Sequence, residues 1–130
     1  MADQLLHVEL VAADRTVWSG DASFILARTT EGEIGIMPNH APVLSVMVEG
    51  VVEVVTEDSE RWAAAVDAGF LSVADNRVSI LSESVDLAKD IDLGQARRDL
   101  EEAQAAADSD EHSAVVRRAE ARVRAAEKTG

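Results

Sequence analysis

Apolar and polar positions alternate almost from the start of the chain. Leu6, Val8, Leu10 and Ala12 fall on one side and His7, Glu9 and Val11 on the other, the period-two pattern of a half-buried strand over residues 5–12. Asp14-Arg15 predicts a turn, Thr16 to Ser19 a short return strand with Val17 and Trp18, and Gly20-Asp21 a second turn. Ser23 to Thr29 reads as a third strand, apolar on both faces and so enclosed. Leu44–Val48 and Val51–Thr56 are β-branched runs that predict a hairpin through Glu49-Gly50. Glu57 to Glu60 makes a solvated tip, Trp62–Val66 follows, and Gly69 breaks the run. Phe70–Val73 then pairs with Arg77–Leu81 across Ala74-Asp75-Asn76. About eight to ten short strands with turn residues between them predict an antiparallel β-sandwich or flattened barrel rather than a βαβ sheet.

The pattern changes near Leu87, where β-branched residues thin out and Ala, Glu, Gln and Arg take over. With Asp90 or Asp92 as cap, Leu93, Ala96, Leu100, Ala103 and Ala107 form one narrow helical stripe. Residues 108–113 interrupt it with a polar turn, and Val116, Ala119, Val123 and Ala126 form a second stripe. The expected class is therefore β + α: a sandwich over residues 1–87 and an antiparallel two-helix hairpin over 88–130. Each helix is about 25 Å long at ~1.5 Å per residue. Seams made mostly of Ala bury little area, so the hairpin alone is marginal and suited to releasing and repacking.

Composition narrows the partners. The chain has 130 residues, 47% hydrophobic, and a formal net charge of -13, which disfavours nucleic acid and anionic membrane surfaces. Cysteine is absent, so no disulfide or thiolate site exists. No apolar run reaches the roughly 20 residues of a spanning helix, and the first residues show neither signal- nor transit-peptide character, so direct membrane insertion is not expected. Charge is also unevenly distributed: residues 1–90 carry 16 acids and 5 bases, residues 91–130 carry 9 and 7. The last helix, with Arg117, Arg118, Arg122, Arg124 and Lys128, is basic. Cations near a helix C-terminus suit its dipole; alternatively they seek an acidic partner surface.

Catalytic chemistry is hard to find. His7, His40 and His112 lie far apart without metal-ligand spacing, so no metal site is expected. Gly32 and Gly35 precede no helix and lack the Lys of a P-loop. Nothing near Glu31 and Glu33 would separate their pKa values for acid and base roles. No catalytic residue is assigned, and the chain is expected not to be an enzyme by itself.

Residues 31–45, EGEIGIMPNHAPVLS, are the densest group of backbone-shaping residues. Gly32 and Gly35 permit unusual backbone angles, Pro38 and Pro42 fix theirs, and Asn39 tolerates a left-handed turn. The plainer reading is a corner tying strands together; the sharper one is a presented surface with Glu31, Glu33 and His40 at its rim. The order Glu-Gly-x-x-Gly-Ile-x-Pro-x-His-Ala-Pro-x-Leu-Ser resembles the epsilon subunit family of the F-type, proton-translocating ATP synthase. Asn39 stands where many members carry Gly. Asp67-Ala68-Gly69-Phe70, Arg77 to Leu81 and Ile91-Asp92 extend the resemblance over about residues 5–128.

That resemblance implies a ten-stranded sandwich in the rotor, contacting the gamma subunit and the c-ring, on the cytoplasmic face of a bacterial cell membrane. It implies a noncatalytic coupling role. It also implies a hairpin that either folds against the sandwich or extends towards the alpha and beta catalytic subunits and blocks ATP hydrolysis. Carried over, Glu31, Gly32, Ile34, Gly35, Pro38, His40 and Pro42 would face the c-ring and gamma, and Arg117, Arg118, Arg122 and Arg124 would meet the beta subunit. Some members bind ATP through Ile-Asp-x-x-Arg-Ala. Here Ile91, Asp92 and Ala96 match, but Gln95 replaces the Arg, removing a charge-assisted phosphate contact. No cofactor is required. Two other readings are a hairpin adaptor of RNA polymerase, its tip Asp108, Asp110 and Glu111 helping to hold Mg²⁺, and a plain β-sandwich interaction module.

Overall fold

The computed structural model describes residues 4–106 and 113–128. Nine strands precede two helices: β1 (Leu6–Ala12), β2 (Arg15–Thr29), β3 (Gly32–Ile36), β4 (Val43–Met47), β5 (Gly50–Thr56), β6 (Arg61–Val66), β7 (Gly69–Ala74), β8 (Arg77–Ser82) and β9 (Val85–Leu87). A 3₁₀ turn, Ala88–Asp90, leads into α1 (Leu93–Ala106), and α2 is Ser113–Lys128. The expected sandwich-plus-hairpin class holds, and β2, which serves both layers, accounts for the difference from ten strands. The tip residues Asp108, Asp110, Glu111 and His112, and the stripe residue Ala107, lie outside the described residues.

One layer carries β1, β8, β7 and β4, the other β3, β2, β5, β6 and β9. The first half of β2 pairs with β1, Leu6 opposite Ala22 and Ala12 opposite Arg15, while its second half pairs with β3 and β5. Pairing is antiparallel throughout except between β1 and β8, which run parallel. Inward positions fill one core: Leu6, Val8 and Leu10 of β1, Leu71 of β7 and Ile80 of β8, with Ile25 of β2 and Val52 and Val54 of β5. All are essentially inaccessible to water.

Three local expectations are corrected. Gly20-Asp21 is not a turn, because β1 pairs continuously along this stretch. A Cβ at Gly20 would stand 2.7 Å from Trp18 Cζ2, so the glycine makes room for an indole rather than breaking a strand. Glu49-Gly50 does not close a hairpin: β4 pairs with β7, β5 pairs with β2 and β6, and Val48-Glu49 carries the chain from one layer to the other. Nor are residues 31–45 one loop, since Gly32 to Ile36 form β3. The β7–β8 hairpin is present, with Asp75 (φ 52°) and Asn76 (φ 62°) forming its left-handed two-residue turn.

β6 is buried on both faces. Ala64 and Val66 point into the sandwich core, whereas Ala63 and Ala65 point outward and belong to a second cluster with Ala88, Ile91, Ala96, Ala121 and Ala125. α2 packs on β6 and β5 with one side and on α1 with another. Asp92 caps α1, its Oδ1 accepting from the Gln95 N–H at 3.1 Å. The expected α2 stripe of Val116, Ala119, Val123 and Ala126 is buried or half-buried. A further stripe was not foreseen: Ala121 and Ala125, both at 0% exposure, lie against the sheet-side cluster.

Candidate interaction surfaces

β3 separates the predicted interface residues into two groups. Glu31 lies in the β2–β3 turn and Gly32 opens β3; there Thr29 Oγ1 accepts from the Glu31 N–H and donates to the Gly32 carbonyl at 2.9 Å. Gly32 has φ +119°, a conformation L side chains rarely adopt. Pro38, His40 and Pro42 lie beyond the other end of β3, about 17 Å away at ~3.3 Å per residue. Between them Ile34 is half-buried and packs against the core, and Gly35 sits beneath the Phe24 ring.

The Met37–Pro42 corner is braced locally. Asn39 is left-handed (φ 71°) and its N–H donates to Asn76 Oδ1 in the β7–β8 turn, while Asn76 Nδ2 donates back to Asn39 Oδ1. His40 N–H donates to the Met37 carbonyl at 3.1 Å, and its Nδ1 lies 2.7 Å from the Ala41 carbonyl. The corner thus has little freedom, and it leaves Met37 62% exposed.

Towards the other end of β4, β7 and β8 lies an apolar row missed by the strand-by-strand pattern. Val46 of β4 stands opposite Phe70 of β7, Phe70 opposite Leu81 of β8, and Leu81 opposite Val11 of β1. Val46, Phe70 and Leu81 are exposed, and Leu44 nearby is 74% exposed. The row is a contiguous set of apolar side chains left open on the outer face of a sheet in a chain of charge -13. Register could have revealed it, but register is not visible in one strand at a time.

The opposite outer face is acidic and covered by α2. Arg117 Nε donates to Glu49 Oε1 at 2.9 Å, Arg118 pairs with Asp67 at 2.8 Å, Arg122 with Asp86, and Lys128 with Glu53 at 3.2 Å. Glu49 and Asp67 are each 8% exposed. Arg97 of α1 pairs with Glu127 of α2 at 3.2 Å, tying the helices together. Three of the four predicted partner-contacting arginines are therefore engaged with the chain's own sandwich. Arg124 instead borders a polar recess with Arg28, Glu33 and Lys128.

The nucleotide-motif positions have structural duties. Ile91 and Ala96 are buried between hairpin and sheet, Asp92 is the α1 cap, and Gln95 bridges Asp99 at 2.8 Å and Arg98 at 2.9 Å. No group of metal-binding side chains occurs among the described residues. At the β5–β6 tip the Thr56 hydroxyl donates to Asp58 and holds that carboxyl below its ordinary value.

A family model described as the ATP synthase delta/epsilon chain, beta-sandwich domain, matches residues 5–88. The chain is 52% identical over 120 residues to the ATP synthase epsilon chain of Streptomyces avermitilis, spanning 92% of this chain and 94% of that one. It is 51% identical over 124 residues to that of Rhodococcus opacus, spanning 95% and 97%. In three dimensions it resembles a chain of the Euglena gracilis mitochondrial ATP synthase (OSCP/F1/c-ring, rotational state 1), with a TM-score of 0.76 at 24% identity, covering 99% of this chain and 83% of that one. A chain of the Tetrahymena thermophila mitochondrial ATP synthase central stalk and c-ring aligns with a TM-score of 0.60 at 19% identity, covering 99% and 98%. At these identities the structural likeness speaks to the fold.

Proposed function

The chain belongs to the ATP synthase delta/epsilon family, and from that membership we propose that it is a noncatalytic central-stalk subunit coupling gamma to the c-ring and regulating ATP hydrolysis through its hairpin. Its place in this reading is peripheral, on the cytoplasmic face of a bacterial cell membrane and reached through the complex. No helix among the described residues is long and apolar enough to cross a membrane. Neither a cofactor nor a metal has a step in it.

The Val46–Phe70–Leu81 row and the Met37–Pro42 corner are the surfaces assigned to gamma and the c-ring. A corner braced by two prolines and the Asn39–Asn76 pair supports that role, since torque passes through it with little compliance. Glu31, Gly32, Ile34 and Gly35, at or towards the other end of β3, belong to the same proposed interface with gamma and the c-ring, with Glu31, Gly32 and Gly35 exposed there.

The observation that carries the regulatory part is the pairing of Arg117, Arg118 and Arg122 with Glu49, Asp67 and Asp86. The cations that would seek an acidic beta-subunit surface here hold α2 down. Partly exposed ion pairs contribute about 0.2–1 kcal/mol each, and the Ala121/Ala125 contact with Ala63/Ala65 adds little area. The latch is therefore worth on the order of a few kcal/mol, within reach of a competing acidic surface.

The test is ATP hydrolysis by the reconstituted catalytic assembly with the full chain or a version ending at Ala88, at matched occupancy. Suppression by the full chain alone supports the reading. Equal turnover with both bound removes the inhibitory role, and failure of both to bind removes the stalk assignment.

A further inference from the structure

A cavity of about 310 Å³ opens beside the joint between sandwich and hairpin, far in character from the surfaces above. Its walls are the indoles of Trp18 and Trp62 with Leu87 and Ala88, and its rim carries Arg61 and Lys89. The size is at the low end of the roughly 300–1,000 Å³ typical of small-molecule sites.

One feature sets it apart: the chain has 25 acidic residues against 12 basic ones, yet no carboxylate lines this cavity, while two cations do. Among the described residues Arg61 and Lys89 form no ion pair, as is also true of Arg28, Arg77, Arg98 and Arg124, so neither rim charge is already engaged by a carboxylate there. The walls are also fixed. Trp18 and Trp62 meet edge to face, centroids 4.9 Å apart at 65°, and both pack against the core. The bare Cα of Gly20 leaves the Trp18 ring its place.

From this arrangement we propose that the cavity is a binding site for a planar aromatic anion, a two-ring carboxylate or sulfonate. Its ring stacks on the indoles and its charge is met by Arg61 and Lys89. The neutral ring system alone lacks the charge-assisted contact and binds more weakly. The site stands apart from the coupling and regulatory reading above and does not depend on it.

The chain offers a clean readout, because its two tryptophans are both in the cavity wall and give the only indole N–H signals in an NMR spectrum. The full chain is titrated with 2-naphthoate and with 2-naphthalenemethanol. The proposal expects both indole signals to move saturably with naphthoate, and the alcohol to bind about tenfold or more weakly. The double variant Arg61→Gln/Lys89→Gln, with unchanged circular dichroism, should bring naphthoate down to the alcohol's level. A Gly20→Val chain, in which the Trp18 indole is displaced, should lose binding of both. Indoles that stay still to millimolar naphthoate overturn the proposal. So does equal binding of acid and alcohol, or a double variant that keeps its preference for the acid.

Discussion

Arg117 and Glu49 lie 68 positions apart in the chain, yet Arg117 Nε donates to Glu49 Oε1 at 2.9 Å, joining α2 to the crossover between the two layers of the sandwich. Glu49 is nearly buried while Arg117 is about half-exposed, so the pair is partly shielded from salt. Reversing one charge, as Glu49→Lys or Arg117→Glu, should loosen α2 and speed tryptic cleavage within it several-fold. The swapped double variant should restore protection. The coupling of the cycle is expected at up to about 1 kcal/mol, and no coupling would show that α2 is held by other contacts.

Alanine at the helix–sheet contact sets how closely α2 approaches. Ala125 is at 0% exposure in one cluster with Ala63 and Ala65, so Ala125→Leu overpacks it by about 1–3 kcal/mol. Because α2 packs on the outside of β5 and β6 and contributes nothing to the sandwich core, this strain should release the hairpin rather than unfold the sandwich. Tryptic cleavage of α2 should rise while the urea midpoint of the sheet, followed by tryptophan fluorescence, moves little.

Gly69 is different, since its neighbour is backbone. A Cβ there would fall 1.9 Å from the Leu81 carbonyl oxygen, on the strand paired with β7. Gly69→Ala should therefore destabilise the sandwich by about 3 kcal/mol or more, visible as a lower urea midpoint.

On the open face, Val46 and Phe70 are neighbours across β4 and β7 and half-exposed. Val46→Asp/Phe70→Asp should leave the urea midpoint nearly unchanged and abolish copurification with gamma, because a desolvated interface cannot take two unpaired carboxylates. Retained copurification would move the docking surface elsewhere.

Much of this was legible in residue order. The alternation of Leu6, Val8 and Leu10 marked β1, Asp75-Asn76 marked the β7–β8 turn, and the 3.5-residue spacing of Val116, Ala119 and Val123 marked buried and half-buried positions of α2. What was missed depends on long-range pairing. Gly20 resembles a turn unless one knows that the Trp18 indole lies over it, and Val48-Glu49 resembles a hairpin unless one knows that β4 and β5 belong to different layers. The second stripe of α2 was hidden because Ala121 and Ala125 carry no strong polarity signal. The apolar row needed the register of four strands, and the arginines of α2 drew attention to outside partners because Glu49, Asp67 and Asp86 are distant in sequence.

Regulation by α2 requires it to leave the sandwich, and the absence of native cysteine permits a direct test of that proposal. Ala125→Cys is paired with Ala63→Cys or Ala65→Cys, whichever oxidises fully, and ATP hydrolysis by the reconstituted assembly is measured before and after reduction. Locking should relieve inhibition and reduction should restore it to the level of the unmodified chain. Identical turnover in the locked and reduced states, with the subunit bound in both, would show that α2 does not regulate by leaving the sandwich.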